Sequence, residues 1–183
     1  GNEATHQQPG DRVVTMMTSG GDSQQVVAPA ERIVTLPPEI DFDTAAALPV
    51  NYLTAWFCMF DMGALQAGQT ILIHHGAGGV GVAAIQLARR TGARVLATTG
   101  TAAKIEFLRE LGADGAFCIA HSDWAQQVEA QVGRRGVDVV LDPVGGRVMK
   151  QGLRLLAPLG RLVAFGLSQA VAGPRRNPIA AAL

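Results

Sequence analysis

The segment from Thr70 to Gly92 constrains the fold of this chain more strongly than any other. An apolar run, Ile71 to Ile73, leads into a glycine-rich turn, and apolar residues at helical spacing follow the turn. This order predicts a strand, a tight turn and a helix. The turn has the spacing Gly-x-Gly-x-x-Gly and consists of Gly76, Ala77, Gly78, Gly79, Val80 and Gly81.

Each spaced glycine of this turn has a physical task. Gly76 permits a tight turn, Gly78 lets the backbone approach a pyrophosphate, and Gly81 lets the helix pack closely on the strand. The free N–H groups and the positive end of the helix then face the phosphates. Glycine-rich turns also occur simply to reverse a chain, but the strand before this turn and the helix after it favour dinucleotide binding.

Strands and helices continue to alternate after the turn. Apolar runs predict strands at 94–98, 115–118, 137–141 and 161–165, and helical patterns cover 102–111, 122–132 and 146–156. Five strands with four helices between them predict an α/β fold with a doubly wound parallel (Rossmann) sheet. We expect the sixth strand downstream of residue 183, because the chain stops inside a helix predicted after Pro178.

The residues before this fold follow a different pattern. Short β-rich runs at 12–16, 24–28 and 32–36 are separated by Gly, Ser and Pro, which is typical of a small antiparallel sheet. Such a sheet cannot form a core alone. We therefore predict that residues 1–40 are the end of a truncated β domain, and that residues 41–183 form the dinucleotide-binding domain without its final strand.

Two helices are predicted between these parts. Asp43 is the predicted N-cap of a helix at 44–48. Pro49 is expected to bend or restart the helix before a mostly apolar second one at 51–62, which Gly63 ends.

The charge balance excludes some classes of partner. The chain has 15 basic and 15 acidic residues, which gives no electrostatic case for binding nucleic acid or a membrane surface. Its longest apolar runs are shorter than the roughly 20 residues of a membrane span. Cys58 and Cys118 lack metal-ligand spacing. We interpret them as buried thiols of a reducing compartment, which favours a cytoplasmic location.

The residues after the strand at 94–98 bear on which cofactor fits. An NAD site usually has Asp or Glu about 20 residues after the first glycine, where it bonds the ribose 2′-hydroxyl. Here Thr99 and Gly100 follow the strand, without an acid. This absence permits NADP, and Lys104 is a candidate partner for the 2′-phosphate. The alternative for Lys104 is a solvated lysine at a helix start.

Two further strand ends are candidates for cofactor contacts, because ligands of open α/β sheets bind beyond the carboxyl ends of the strands. One carries Asp142, Pro143 and Val144, and the other carries Phe165, Gly166, Leu167 and Ser168. The alternative is that both turns are simple strand-to-helix connections.

No nucleophile, catalytic triad or metal site emerges from the sequence. His74 and His75 face opposite sides of a strand, so they cannot share a metal, and one of them is expected to be packed and hydrogen-bonded. His6 and His121 have no partners at metal-ligand spacing. We interpret Arg175 and Arg176 as part of a solvated loop.

Several motifs in register resemble the medium-chain dehydrogenase/reductase superfamily, and within it the zinc-free quinone oxidoreductase (zeta-crystallin-like) family. They are GALQAGQTILIHHGAGGVGVAAIQLARRTGA, TGTAAK, ELGAD, GVDVVLDPVGG and GRLVAFG. NYLTAW before the fold and GPRRN after it resemble the synaptic vesicle membrane protein-like subgroup. The resemblance covers residues 10–178.

The resemblance implies a zinc-independent reductase that transfers hydride from NADPH to a quinone or an α,β-unsaturated carbonyl. It also implies a homodimer, and a GroES-like domain that residues 1–40 close. Val50 stands where zinc-dependent relatives have a Cys ligand. Ile119 stands where relatives often have a Tyr beside the adenosine phosphate, and His121 is the alternative for that role.

The same resemblance assigns residues to parts of the cofactor. It implies that Thr54 and Phe57 lie near the nicotinamide, Gly78 to Gly81 at the pyrophosphate, Gly100 and Lys104 at the 2′-phosphate, and Phe165 to Ser168 beside the nicotinamide.

The catalytic residues and the exact function stay open. Asn51 and Tyr52 are candidates for orienting a substrate carbonyl, from their place in NYLTA alone. Unchanged turnover in Asn51→Ala and Tyr52→Phe variants would exclude both residues from this role. The alternative functions are an enoyl reductase module of a larger synthase and a non-catalytic NADP-binding protein, structural or vesicle-associated.

Overall fold

The computed structural model describes residues 7–168. The strands are β1 Val13–Thr15, β2 Ile33–Thr35, β3 Thr70–Ile73, β4 Arg94–Thr99, β5 Gly115–Cys118, β6 Val137–Asp142 and β7 Leu156–Ala164. The helices are α1 Phe42–Trp56, α2 Gly79–Thr91, α3 Ile105–Glu110, α4 Trp124–Val132 and α5 Gly146–Arg154. His6, Arg175, Arg176 and the helix predicted after Pro178 lie outside the described residues, as does the sixth strand.

Five strands form one parallel sheet in the order β5-β4-β3-β6-β7. A helix lies between each strand and the next along the chain, from α2 between β3 and β4 to α5 between β6 and β7. The predicted doubly wound parallel sheet is confirmed. The strand order reverses at β3, between β4 and β6, which is where sheets of this kind bind dinucleotides.

Helices cover both faces of this sheet. On β3, Ile71 and Ile73 belong to one buried cluster together with Ile85 of α2, whereas Leu72 belongs to a second cluster with Trp124 of α4. Successive side chains of a strand point to opposite faces. Since each large apolar side chain contributes about 1.5–3 kcal/mol when it is buried, both faces stabilise the sheet. This burial explains the near-continuous apolar sequence of the strands.

The chain divides into two compact units, with the boundary between Asn51 and Tyr52. In the first unit, β1 and β2 pair antiparallel, with Val14 opposite Val34. The predicted strand at 24–28 is wrong, since this run is irregular and leaves Val27 95% exposed. A β-rich run without a pairing partner or a buried face does not form a strand. The GroES-like assignment and the domain boundary at residue 40 stay predictions.

Helix α1 begins two residues earlier than the sequence predicted. Asp41, and not Asp43, is the N-cap, because its carboxylate accepts hydrogen bonds from the Thr44 N–H at 2.7 Å and the Thr44 hydroxyl at 2.9 Å. These two bonds hold the pKa of Asp41 below its usual value. Two acids, Asp41 and Asp43, flank Phe42, and the sequence prediction chose the second. Only Asp41 lies three residues before Thr44, so the predicted cap was wrong.

Pro49 lies inside α1, which runs as one helix from Phe42 to Trp56, so the predicted restart is wrong and the predicted bend stays a prediction. Proline removes one backbone hydrogen bond and costs about 3 kcal/mol within a helix. Ala45 and Ala55 are both buried, so the helix is packed on either side of the proline. Beyond Trp56 the chain continues as a π-helical turn, Phe57–Met62, and ends where the Gly63 N–H donates to the Cys58 carbonyl at 3.0 Å.

The later boundaries also differ from the prediction. Residues 102–104 form a 3₁₀ turn before α3, α4 begins after Asp123, and α5 ends at Arg154. Strand β7 begins at Leu156, five residues before the predicted start at Arg161. Its first half contains Pro158 and Gly160, and it lies between the predicted helix at 146–156 and the predicted strand at 161–165. Among residues 7–168, no helix is long and apolar enough to cross a membrane.

Candidate cofactor-binding site

The glycine turn joins β3 to α2 at the carboxyl edge of the sheet. The Gly76 N–H donates to the Thr98 carbonyl at 2.8 Å and fixes the turn against β4. The Gly78 N–H donates to the His75 carbonyl at 2.9 Å, and the Val82 N–H donates to the Gly78 carbonyl at 2.8 Å. Because the first N–H groups of a helix have no acceptor within the helix, those of α2 are available to an anion.

The turn leaves no room for a side chain at Gly81, and a side chain at Gly78 would displace the His75 ring. A Cβ atom on Gly81 would lie 2.4 Å from the His75 carbonyl oxygen and 2.6 Å from the Gly76 Cα. A Cβ atom on Gly78 would lie 2.5 Å from the His75 ring. Contacts below 3.0 Å do not occur at real Cβ atoms. The residues present therefore fit a site in which a pyrophosphate approaches bare backbone.

His75 has a backbone conformation that is uncommon outside glycine, with φ +56°. It is exposed, whereas its neighbour His74 is fully buried. Residues held in the left-handed region concentrate at functional sites. His75 was not among the cofactor-site residues predicted from the sequence, because its left-handed backbone is visible only in the structure.

A cavity of about 170 Å³ lies beside the glycine turn. It joins the turn to the residues that follow β4, and its lining consists of His75, Ala77, Thr99, Gly100, Thr101 and Lys104. The structure thus brings Thr99, Gly100 and Lys104 together with the glycine turn. The lining contains a lysine and no carboxylate, so it is suited to a phosphate. Thr101 is a further lining residue that the sequence analysis did not select.

The turns after β6 and β7 lie beside each other at the same edge of the sheet. The Phe165 N–H donates to the Asp142 carbonyl at 3.0 Å, and the Ser168 N–H donates to the Pro143 carbonyl at 3.0 Å. Val144 is buried, whereas Leu167 is 38% exposed. Both turns are on the far side of β3 from Lys104, since β6 and β7 follow β3 in the sheet order. The site is therefore a crevice with two sides and the glycine turn between them.

His74, the residue that follows β3, is buried between the strand ends. Its Nδ1 lies 3.0 Å from the Thr98 hydroxyl, and its ring meets the Trp124 ring edge-on at 5.3 Å between centroids. Burial lowers the pKa of His74 to about 4, and the Asp142 charge opposes this shift. His74 is thus neutral at pH 7, and the expectation of one packed, hydrogen-bonded histidine is confirmed.

The candidates of the α1 region make local contacts. The Asn51 side-chain amide donates to the Ala47 carbonyl at 2.8 Å, and the Tyr52 hydroxyl donates to the Gln86 side chain. Thr54 is half-buried, and Phe57 is 55% exposed at the start of the π-helical turn. None of these contacts involves the glycine turn. The catalytic roles of Asn51 and Tyr52 and the nicotinamide contacts of Thr54 and Phe57 stay predictions.

Within residues 7–168, no three His, Cys, Asp or Glu side chains lie close enough together to hold a metal ion. Cys58 and Cys118 are buried free thiols. Burial raises the pKa of the Cys58 thiol, which disfavours the thiolate that metals require. The described residues do not fit a zinc site.

Comparison with known families identifies the fold's relatives. A family model described as zinc-binding dehydrogenase matches residues 79–179, which is more than half of the chain. The chain belongs to the medium-chain dehydrogenase/reductase superfamily. Within this superfamily it is close to the human synaptic vesicle membrane protein VAT-1 homolog, with 37% identity over 182 residues. The resemblance inferred from the motifs is confirmed.

The relatives are longer than this chain. The match to the human homolog covers 100% of this chain and 46% of that protein. A second relative is the phthioceranic/hydroxyphthioceranic acid synthase of Mycobacterium tuberculosis, 39% identical over 166 residues. That match covers 91% of this chain and 8% of the synthase. The chain therefore spans less than half the length of either relative.

Three solved structures share the fold. CurK enoyl reductase is 37% identical, with a TM-score of 0.73 over 76% of this chain and 42% of that one. A quinone oxidoreductase of Pseudomonas syringae is 32% identical, with a TM-score of 0.71 over 78% of this chain and 43% of that one. Mycobacterial Rv1454c, solved with NADPH, is 33% identical, with a TM-score of 0.72 over 78% of this chain and 44% of that one. The chain therefore has the fold of a medium-chain dehydrogenase/reductase domain.

Proposed function

We propose that this chain is the cofactor-binding part of a zinc-independent reductase that uses NADPH to reduce a quinone or an α,β-unsaturated carbonyl. One observation carries the proposal: the cavity beside the glycine turn contains Lys104 and no carboxylate. An acid there would repel a 2′-phosphate and favour NAD. The Rv1454c structure in complex with NADPH supports the same cofactor for a chain of this fold.

Each part of the crevice has a separate task in this proposal. The glycine turn and the start of α2 bind the pyrophosphate, and Lys104 binds the 2′-phosphate. The turns after β6 and β7 hold the nicotinamide. When bound, the reduced nicotinamide supplies a hydride to the electron-poor substrate carbon. The protein's contribution is to orient the ring and exclude competing reactions.

A second candidate function is an enoyl reductase module of a larger synthase. The mycobacterial synthase relative and the CurK enoyl reductase structure favour it. The first matches 91% of this chain and the second matches 76%. Enone reduction and enoyl reduction both saturate a carbon–carbon double bond next to a carbonyl, whereas quinone reduction yields a hydroquinone. The two functions are separated by comparing the turnover of a simple enone with that of an acyl thioester substrate by the full-length gene product.

Lys104 tests the choice of cofactor. In the full-length gene product, we expect Lys104→Ala to weaken NADPH binding about tenfold and to leave NADH binding unchanged, since only NADPH carries the 2′-phosphate. Fluorescence titration with each cofactor measures both constants. Lys150→Ala is the matched control, because Lys150 is an exposed lysine on α5 that does not line the cavity.

Two results would contradict the proposal. Equal affinity of the unmodified protein for NADPH and NADH would contradict the proposal that Lys104 binds the 2′-phosphate. NADPH that binds but is not oxidised by any of a panel of quinones and enones would favour a non-catalytic NADP-binding protein. We further propose a homodimer and a cytoplasmic location, which the low fraction of charged residues and the two free thiols support.

A further inference from the structure

The turn after β6 contains a buried carboxylate. Asp142 is the last residue of β6 and is 0% exposed. Its Oδ1 accepts two hydrogen bonds, from the Val144 N–H at 2.5 Å and the Gly145 N–H at 2.8 Å. A side chain that is fully enclosed cannot bond a ligand in the crevice directly. Asp142 instead acts on the backbone of its own turn.

That turn has a backbone that few residues adopt. Gly145 has φ +78° and Gly146 has φ +55°, so two successive residues lie in the region that favours glycine. Two N–H groups of this turn point inward, where they would lack water. The Asp142 carboxylate satisfies both of them, and bonds of this kind to a charged acceptor are the stronger ones. The carboxylate thereby fixes the path of residues 143–146.

The turn after β7 is attached to the first turn. The Asp142 carbonyl accepts from the Phe165 N–H, and the Pro143 carbonyl accepts from the Ser168 N–H, both at 3.0 Å. A Cβ atom on Gly166 would lie 3.0 Å from the Pro143 carbonyl oxygen, so the two turns pack backbone against backbone. A shift of the first turn therefore displaces the second.

The burial of this carboxylate is costly. Its second oxygen, Oδ2, is buried and has no hydrogen-bond partner among the described residues. A buried polar atom without a partner lowers stability. Unsatisfied groups of this kind are rare in folded proteins and call for a specific role. Holding two cofactor-facing turns in place is such a role.

We infer that Asp142 is the positioning residue of the nicotinamide side of the crevice. It fixes residues 143–146 by its two hydrogen bonds and, through them, residues 165–168. Asp142 does not line the cavity around Lys104, which lies across β3 on the adenosine side of the crevice. This inference rests on the proposed cofactor site, and it assigns to Asp142 an indirect role in place of a direct cofactor contact.

Two ligands separate this role from general destabilisation. The full-length gene product is titrated with NADPH and with adenosine 2′,5′-bisphosphate, which lacks the nicotinamide. We expect Asp142→Ala to weaken NADPH about tenfold and to leave the bisphosphate within about twofold. Asp142→Asn should restore NADPH binding, because its amide oxygen accepts the same two N–H groups. Lys104→Ala is the converse control and should weaken both ligands.

Equal weakening of both ligands by Asp142→Ala, or no weakening of either, would overturn the inference. A second readout does not need the cofactor. Amide hydrogen exchange in the unliganded protein should show slow exchange at Val144 and Gly145, lost in Asp142→Ala and kept in Asp142→Asn. Fast exchange at both amides in the unmodified protein, or equal loss of protection throughout β6, would also overturn it.

The two proposals fail in different ways. If the unmodified protein binds neither NADPH nor the bisphosphate, the proposed cofactor site is wrong, whereas the exchange experiment still decides whether Asp142 holds the turn. If both ligands bind and only the pattern of the Asp142 variants disagrees, the cofactor site stands and the positioning role is wrong.

Discussion

Gly81 shows how much one residue of the glycine turn determines. Its missing side chain lets α2 begin directly against the backbone of residues 75 and 76, where a Cβ atom would lie 2.4 Å from a carbonyl oxygen. We expect Gly81→Ala to lower the free energy of unfolding by about 1–3 kcal/mol and to weaken NADPH binding, because the turn must open to admit a methyl group.

Thermal unfolding with Gly100→Ala as the control measures this effect. A Cβ atom on Gly100 meets no atom within 4 Å, and Gly100 lies in the same crevice. Equal unfolding midpoints for the two variants would show that the close contact at Gly81 does not determine stability.

The residues of the site differ in how well the sequence predicts them. The spaced glycines and Lys104 could be selected because each has a local motif around it. His75 and Thr101 could not, because their place in the cavity depends on a left-handed backbone at one and on the approach of the β4 turn at the other. The indirect role of Asp142 depends on which way its carboxylate points, and the sequence does not determine this.

The strands and helices could be predicted where the run or repeat of apolar residues was long. The five strands and the order of helices between them follow from apolar runs that are buried on both faces. Boundaries were less predictable, since Asp41 and Asp43 are chemically alike and Pro158 and Gly160 lie inside β7 rather than in a turn. Hydrogen bonds to Thr44 decide the first case and pairing with β6 decides the second, and residue preferences alone predict neither.

The N-terminal cap of α1 is the clearest element-scale test. Asp41→Ala removes both bonds to Thr44, whereas Asp43→Ala removes an exposed acid of the first turn. We expect Asp41→Ala to lower the midpoint of thermal unfolding by about 2–4 °C, and Asp43→Ala to change it by less than half as much. Calorimetry measures both, and a larger effect at Asp43 would restore the cap predicted from the sequence.

At the scale of the whole molecule, His74 links stability to pH. Its folded pKa is about 4, against an ordinary value of 6.5, because burial disfavours the charged ring and outweighs the attraction of Asp142. The unfolded chain therefore binds more protons than the folded protein between these two values. The contribution of His74 is present above pH 6.5, is lost as the pH falls towards 4, and amounts to about 3 kcal/mol.

Denaturant unfolding between pH 4 and pH 7.5 measures this dependence, with His74→Gln as the comparison. Glutamine does not titrate, and its amide retains a partner for the Thr98 hydroxyl. We expect the unmodified protein to lose stability more steeply than the variant as the pH falls below 6.5. Asp41 and Asp123, whose pKa values are lowered by hydrogen bonds, act in the same direction but below pH 4. Parallel pH profiles for the two proteins would mean that the pKa of His74 is not lowered in the folded state.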